Sequence, residues 1–172
     1  MNLMKFCSLI LLITLGTYTN QVEPQSPASN PVPKDAVITL ERTICFGNCP
    51  SYKLMIYADG VVVYEGREYV KTKGTAKGQI REEALKQLIS EFERINFFSL
   101  RDTYYDQSDG CSAEVTDMPS AKTSIQVRGR KKTISHYYGC WEKGRDFVIY
   151  PQELFKLEKM IDEVVNSKQW VK

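Results

Sequence analysis

The run Cys45-Phe46-Gly47-Asn48-Cys49-Pro50, followed by Tyr52, constrains this chain more than any other stretch. It sits between two strand-like segments, 36–44 and 52–58, so the fold must bring two strands to one tight corner here. Cysteines four positions apart are close enough for a disulfide to pin that corner. Gly47 and Asn48 tolerate the left-handed backbone such a corner tends to need. Tyr52 resumes the second strand.

A pinned corner implies an oxidising compartment, and the start of the chain agrees. Lys5 supplies a positive n-region, 6–15 is a short apolar run, and Gly16, Thr17 and Thr19 are small enough for a cleavage zone. The apolar run is shorter than the ~20 residues needed to span a bilayer. Residues 1–19 are therefore expected to be a signal peptide, with an uncleaved membrane tether as the rival reading. Cys7 precedes the apolar run and is expected to leave with the signal. Four cysteines then remain: Cys45, Cys49, Cys111 and Cys140. An even number behind a leader reads as two disulfides, and four cysteines allow three pairings. Proximity in the chain favours Cys45–Cys49 and Cys111–Cys140. On chain-entropy grounds the first stabilises by about 2 kcal/mol and the second by roughly 3.5 kcal/mol. The crossed pairings close longer loops and score slightly higher, so entropy does not choose.

Residues 20–35 hold Pro24, Pro27, Pro31 and Pro33 among Ser, Asn and Gln, a composition that reads as a disordered linker. The remainder, 36–172, is long enough for one domain with a core of its own. Its first segment alternates, with Ile38, Leu40 and Ile44 on one face. Asp59-Gly60 is a hairpin signal joining 52–58 to 61–65. Paired across a two-residue turn, Leu54, Ile56, Val61 and Val63 share one face, and Met55, Tyr57, Val62 and Tyr64 the other. Segments 68–73 and 75–80 read as short strands around Gly74, with Lys71, Lys73 and Lys77 suited to an edge. The spacing of Ala84, Leu85, Leu88, Phe92 and Ile95 predicts a helix over 81–95, with acidic Glu82 and Glu83 in its first turn. Phe97, Phe98 and Leu100 are expected to plug the core. Residues 101–120 read as a long loop tied by Cys111. Segments 122–127 and 131–138 read as a second hairpin around Arg128-Gly129-Arg130. Pro151 opens a last helix with Leu154, Leu157, Ile161, Val164 and Val165 inward, and Trp170 is expected to fold back on the sheet. The architecture expected is α+β: antiparallel β-meander and hairpins with two helices packed on one face.

Few residues carry chemistry. His136 is the only histidine, and a lone histidine in a strand is more often a hydrogen-bonded packing residue than a catalyst. Asp102, Asp106 and Asp109 lack the spacing of a calcium loop. The tip Arg128, Arg130, Lys131 and Lys132 is basic, yet it has no stacking aromatics beside it and the net charge is only +2, which argues against nucleic acid. Tyr104 and Tyr105 read as loop residues with one ring tucked in.

Read together, Cys45-Phe46-Gly47-Asn48-Cys49-Pro50-Ser51-Tyr52, Asp59-Gly60, Val63-Tyr64-Glu65-Gly66, Phe97-Phe98-Ser99-Leu100, Thr116-Asp117-Met118-Pro119 and Ile161-Asp162-Glu163 with Trp170 give a chain that resembles a bacterial domain-of-unknown-function family, number 6438, over about residues 36–171. The resemblance implies an exported domain and brings no catalytic residues with it.

The reading that follows is an exported, non-enzymatic binding domain in the periplasm or outside the cell. Its expected partner is an envelope or extracellular protein or a glycan. It is expected to be a monomer, with no nucleic acid, no cofactor, no metal and no membrane span after signal cleavage. The alternative is a thiol-disulfide redox protein working through Cys45 and Cys49. Against it, three residues separate the cysteines where redox motifs more often have two, and a strand is expected to follow where such motifs open a helix.

Overall fold

The computed structural model describes residues 31–142 and 148–172. The expected leader, Cys7, residues 20–30 of the linker and residues 143–147 lie outside the described residues.

The fold is α+β. Strands β1 (Val37–Arg42), β2 (Tyr52–Tyr57), β3 (Val61–Gly66) and β4 (Gly74–Gln79) form an antiparallel meander. Helix α1 (Glu82–Arg94) follows, and a 3₁₀ turn at Phe97–Ser99 leads into β5 (Thr103–Tyr104). Then come β6 (Ala113–Glu114), the long hairpin β7 (Ser120–Val127) and β8 (Arg130–Tyr137), β9 (Cys140–Glu142) and β10 (Val148–Ile149). Helices α2 (Gln152–Val164) and α3 (Lys168–Val171) end the described chain. Among the described residues the strands make one seven-stranded sheet, ordered β4-β3-β2-β1-β7-β8-β5, and a small sheet, β10-β9-β6. Both hairpins thus share one sheet, because β1 pairs with β7.

Period-two patterning explains the layers. Ile38, Leu40, Leu54, Ile56, Ile125 and Ile134 point to one face and are fully buried. Leu85, Leu88 and Phe92 of α1 and Leu154, Leu157 and Ile161 of α2 complete the same core, as the 3.6-residue period requires. Ile89 is also buried, a position the expected stripe left out. Trp170 lies back on the sheet, stacked on Tyr64 at 4.9 Å between ring centroids.

Several expectations are corrected. The β2–β3 register pairs Leu54 with Tyr64 and Ile56 with Val62, so Val62 and Tyr64 face the core, and Val61 and Val63 face outward. The turn has three residues, Ala58-Asp59-Gly60, with Gly60 at φ +78, and one extra residue flips every side chain that follows it. Residues 68–73 are not a strand; they turn through Tyr69 at φ 54 and are pinned where Thr72 N–H donates to the Trp170 carbonyl. Ile44 lies beyond the end of β1 and is 58% exposed. Phe98 and Leu100 are only half-buried, while Phe97 is fully buried. The 101–120 segment is not a plain loop: β5 runs parallel to β8, and β6 joins β9. The second hairpin turns on two residues, Arg128-Gly129, since Val127 pairs with Arg130. Residues at the end of the expected linker are engaged. Asp35 accepts both turn N–H groups, from Arg128 at 2.9 Å and Gly129 at 2.7 Å, and these bonds hold its carboxyl below the usual carboxylate range.

Gly66 is fixed by space. A Cβ there would sit 1.9 Å from the Thr72 carbonyl oxygen and 2.7 Å from the Tyr64 hydroxyl. Gly66→Ala is expected to destabilise the domain by about 1–3 kcal/mol, seen as a lower urea midpoint. An unchanged midpoint would mean that the 66–72 turn yields freely.

Candidate functional site

The inward face of the sheet is not wholly apolar. At the end of β1 and the start of β2, Arg42 and Tyr52 are cross-strand partners on that face. Both reach Asp162 of α2. Arg42 donates to Asp162 Oδ2 through Nη2 at 2.8 Å and Nε at 3.2 Å, and Tyr52 donates to Oδ1 at 2.8 Å. Arg42 Nη2 also reaches the Glu158 carbonyl at 3.1 Å, and the guanidinium lies over the Tyr138 ring. Burial alone would weaken the Arg42 charge, but the Asp162 and Glu158 carboxylates outweigh it and hold the group above its ordinary range.

One turn earlier in α2, Glu158 is fully buried. Its carboxylate takes Thr123 Oγ1 at 3.0 Å on one oxygen, and the Tyr138 hydroxyl at 2.8 Å and His136 Nδ1 at 3.0 Å on the other. His136 Nε2 lies 3.0 Å from the Tyr150 carbonyl, an acceptor only, so Nε2 carries its hydrogen. One proton is therefore held between Nδ1 and the carboxyl. His136 is fully buried with both nitrogens occupied, the arrangement of a packing residue and not of an exposed base.

The connection between β1 and β2 is the cysteine corner. Of the three pairings open to the four cysteines, the structure contains Cys45–Cys49 and Cys111–Cys140. Cys45 and Cys49 are half-buried, whereas Cys111 and Cys140 are buried. Gly47 has φ +149, a value that disfavours side chains, while Asn48 needs no left-handed backbone. The corner is tied to the rest by Phe46 N–H donating to the Asp117 carbonyl and Thr43 N–H to that of Ser120. It carries Phe46 out into solvent at 88% exposure.

Beneath the corner runs a trough. A hollow of about 320 Å³ is lined by Arg42, Cys49, Pro50, Tyr138, Phe155 and Lys159, among others. A second, of about 520 Å³, continues past Ser167 to Lys168 and Lys172. The two share Pro50, Tyr52, Lys159 and Asp162. The trough thus offers aromatic walls, four cations, Arg42, Lys159, Lys168 and Lys172, and two carboxylates, Asp162 and Glu163.

The other sequence candidates stand apart from it. Asp102 pairs with Lys132 at 2.8 Å, Asp106 accepts from Ser108, and Asp109 accepts from Thr103 and Tyr105. Among the described residues no three His, Cys, Asp or Glu side chains converge as metal ligands would. Tyr104 is buried, and Tyr105 stacks on Tyr137. In the basic tip, Arg128 pairs with Glu93, and Arg130 lies over Phe98, which corrects the expectation that no aromatic stacks beside the tip: Phe98 is distant in sequence but brought there by the fold. Lys77 lies on β4, an edge strand, and Lys71 and Lys73 in the turn before it. Sequence reading missed Arg42, Glu158 and Asp162. The signal was present: a cation at an inward strand position, and acids at 158 and 162, four and eight residues after Leu154, inside an apolar helical stripe.

Glu158→Ala would strand Thr123, His136 and Tyr138 inside the core and is expected to cost about 3–5 kcal/mol. Glu158→Gln keeps one acceptor and should cost less, both read by urea denaturation. Burial, then the Asp162 carboxylate, push the Tyr52 phenol well above the usual tyrosine range. The Tyr52 contribution is therefore whole below about pH 10 and is lost as pH climbs above that value. Tyr52→Phe should be the less stable protein near neutrality, with its stability falling less steeply than wild type above about pH 10. Parallel curves would show that Tyr52 is not linked to alkaline unfolding.

No curated protein matches the sequence. The profile of a family described as a domain of unknown function (DUF6438) matches residues 36–165, and this chain, with its stapled β1–β2 corner and clasped second helix, belongs to that family.

Proposed function

We propose that the protein is an exported, non-enzymatic domain that binds an envelope or extracellular protein or glycan through the Cys45–Cys49 corner and the trough beside it. The observation that carries this reading is Phe46, an aromatic ring held 88% exposed by a covalently closed turn. A rigid, exposed aromatic is the kind of anchor that fills a partner's pocket at low entropic cost. Arg42, Tyr52, Asp162 and Lys159 next to it supply polar groups to orient whatever lies along the trough. The disulfides support export. Among the described residues no helix is long and apolar enough to cross a membrane. Of the four tip cations, Arg128 and Lys132 are paired and Arg130 is stacked within the chain, which favours protein or glycan over nucleic acid.

Photo-crosslinking from position 46 in the exported protein tests the proposal. A discrete adduct is expected from position 46 and none from Tyr69, an exposed aromatic outside the corner. Equal labelling from both positions, or none from either, removes the corner as the contact.

The redox alternative draws on one observation, the half-buried setting of Cys45 and Cys49. The element after them is β2, so no helix N-terminus stabilises a thiolate. Insulin reduction is expected at background for wild type and for Cys45→Ser with Cys49→Ser; catalysis that these substitutions abolish would establish the redox reading instead.

A further inference from the structure

The helices cover one face of the seven-stranded sheet. On the other face, Val37, Met55, Val61 and Val63 are half-buried and Tyr57 is 37% exposed, and none of them joins the core. The registers place these side chains in rows. One row runs Lys77, Val63, Met55, Thr39, Ser124, Thr133 across β4-β3-β2-β1-β7-β8. A row nearer the Val37 end runs Gln79, Val61, Tyr57, Val37, Gln126, Lys131. Nearer the corner lies a charged row: Glu65, Lys53, Glu41, Lys122. Arg67 pairs with Glu41 from beyond this row.

The charged row is antisymmetric. Reversed, it presents Lys122, Glu41, Lys53 and Glu65 to Glu65, Lys53, Glu41 and Lys122, and every facing pair is opposite in sign. A two-fold axis parallel to the strands, lying in the contact plane between β1 and β2, produces this reversal. The same axis sets Met55 over Thr39, Val63 over Ser124 and Tyr57 over Val37. It sets Lys77 over Thr133 and Lys131 over Gln79, so no like charges meet. We infer that this open face is an interface between two copies of the chain, giving a two-fold dimer with helices outside and sheets inside, where a monomer was expected from sequence. Cross-strand pairing within one sheet accounts for alternating charge, but not for apolar rows that none of the described residues covers.

The size of the face sets the strength. Six strands at about 4.8 Å and three rows spanning roughly 20 Å give a footprint of about 600 Å² per copy. The total of about 1,200 Å² is at the low end of specific interfaces, so the dimer is reversible, forming at on the order of 10–100 µM. Aligned sheets cross at about 30°, so matching is tightest beside the axis, where Lys53 of each copy faces Glu41 of the other.

Sedimentation equilibrium of the mature chain tests this, with thermal melts to establish that each variant is folded. Wild type is expected to show a monomer–dimer equilibrium. Lys53→Glu and Glu41→Lys should each raise the dissociation constant at least about 10-fold. Their equimolar mixture should recover to within about 3-fold of wild type, because the reversed charges meet across the interface. Tyr57→Asp, at an exposed position, should weaken the dimer without touching the core. A wild type that stays monomeric to about 200 µM, a dimer indifferent to all three substitutions, or a mixture of folded variants that does not recover would each overturn the inference.

Discussion

The carboxylate of Glu158 is the point on which the rest of this structure turns. A charge in the core costs several kcal/mol unless partners surround it, and here the partners come from separate places: Thr123 on β7, His136 on β8 and Tyr138 just past it. Apolar packing is non-directional, so it holds α2 against the sheet without fixing the helix's roll. Hydrogen bonds with these lengths fix it. One turn on, Asp162 takes Arg42 and Tyr52, and the two acids together set both roll and translation. Because His136 also reaches the Tyr150 carbonyl, the start of α2 is held by the same group of residues.

Covalent bonds act at the margins of this clasp. Cys111–Cys140 is buried and joins β9 to the segment before β6, where two-residue ladders are too short to hold a 20-residue excursion by themselves. Cys45–Cys49 closes the connection between β1 and β2, so Arg42 and Tyr52 leave the corner side by side and aimed at Asp162. The exposed corner and the buried acid are therefore parts of one assembly, and a change at either should be felt at the other.

Much of this was legible in the residues. The 3.6-residue stripes of α1 and α2, the second hairpin and the return of Trp170 to the sheet follow from periodicity and size. The β3 facing was not legible: Asp59-Gly60 fits a two-residue or a three-residue turn, and the choice inverts the strand. β5 and β6 have two residues each, too few for a period to register, and they exist because β8 and the buried disulfide offer them a place. Glu158 and Asp162 were hidden because a stripe is read by its apolar members. Paired charges inside two facing stripes are a signal only once the helix is known to cross the end of β1.

The distribution of polar groups also separates structure from function. The carboxylate, imidazole and phenol groups around Glu158 are occupied by one another. What remains available lies on the surface, at the corner with its trough and on the open sheet face. These two surfaces do not compete, since the trough lies on the helix side. In the inferred dimer the two-fold axis runs parallel to the strands, so both copies keep the same strand direction. Both Cys45–Cys49 corners then point the same way, and both chains enter β1 at Val37 from the opposite end. Such a dimer would present two anchors side by side to a common surface. A weak contact at each corner would gain from effective concentration once the first is made, which gives a shallow site with one exposed ring a physical route to useful affinity.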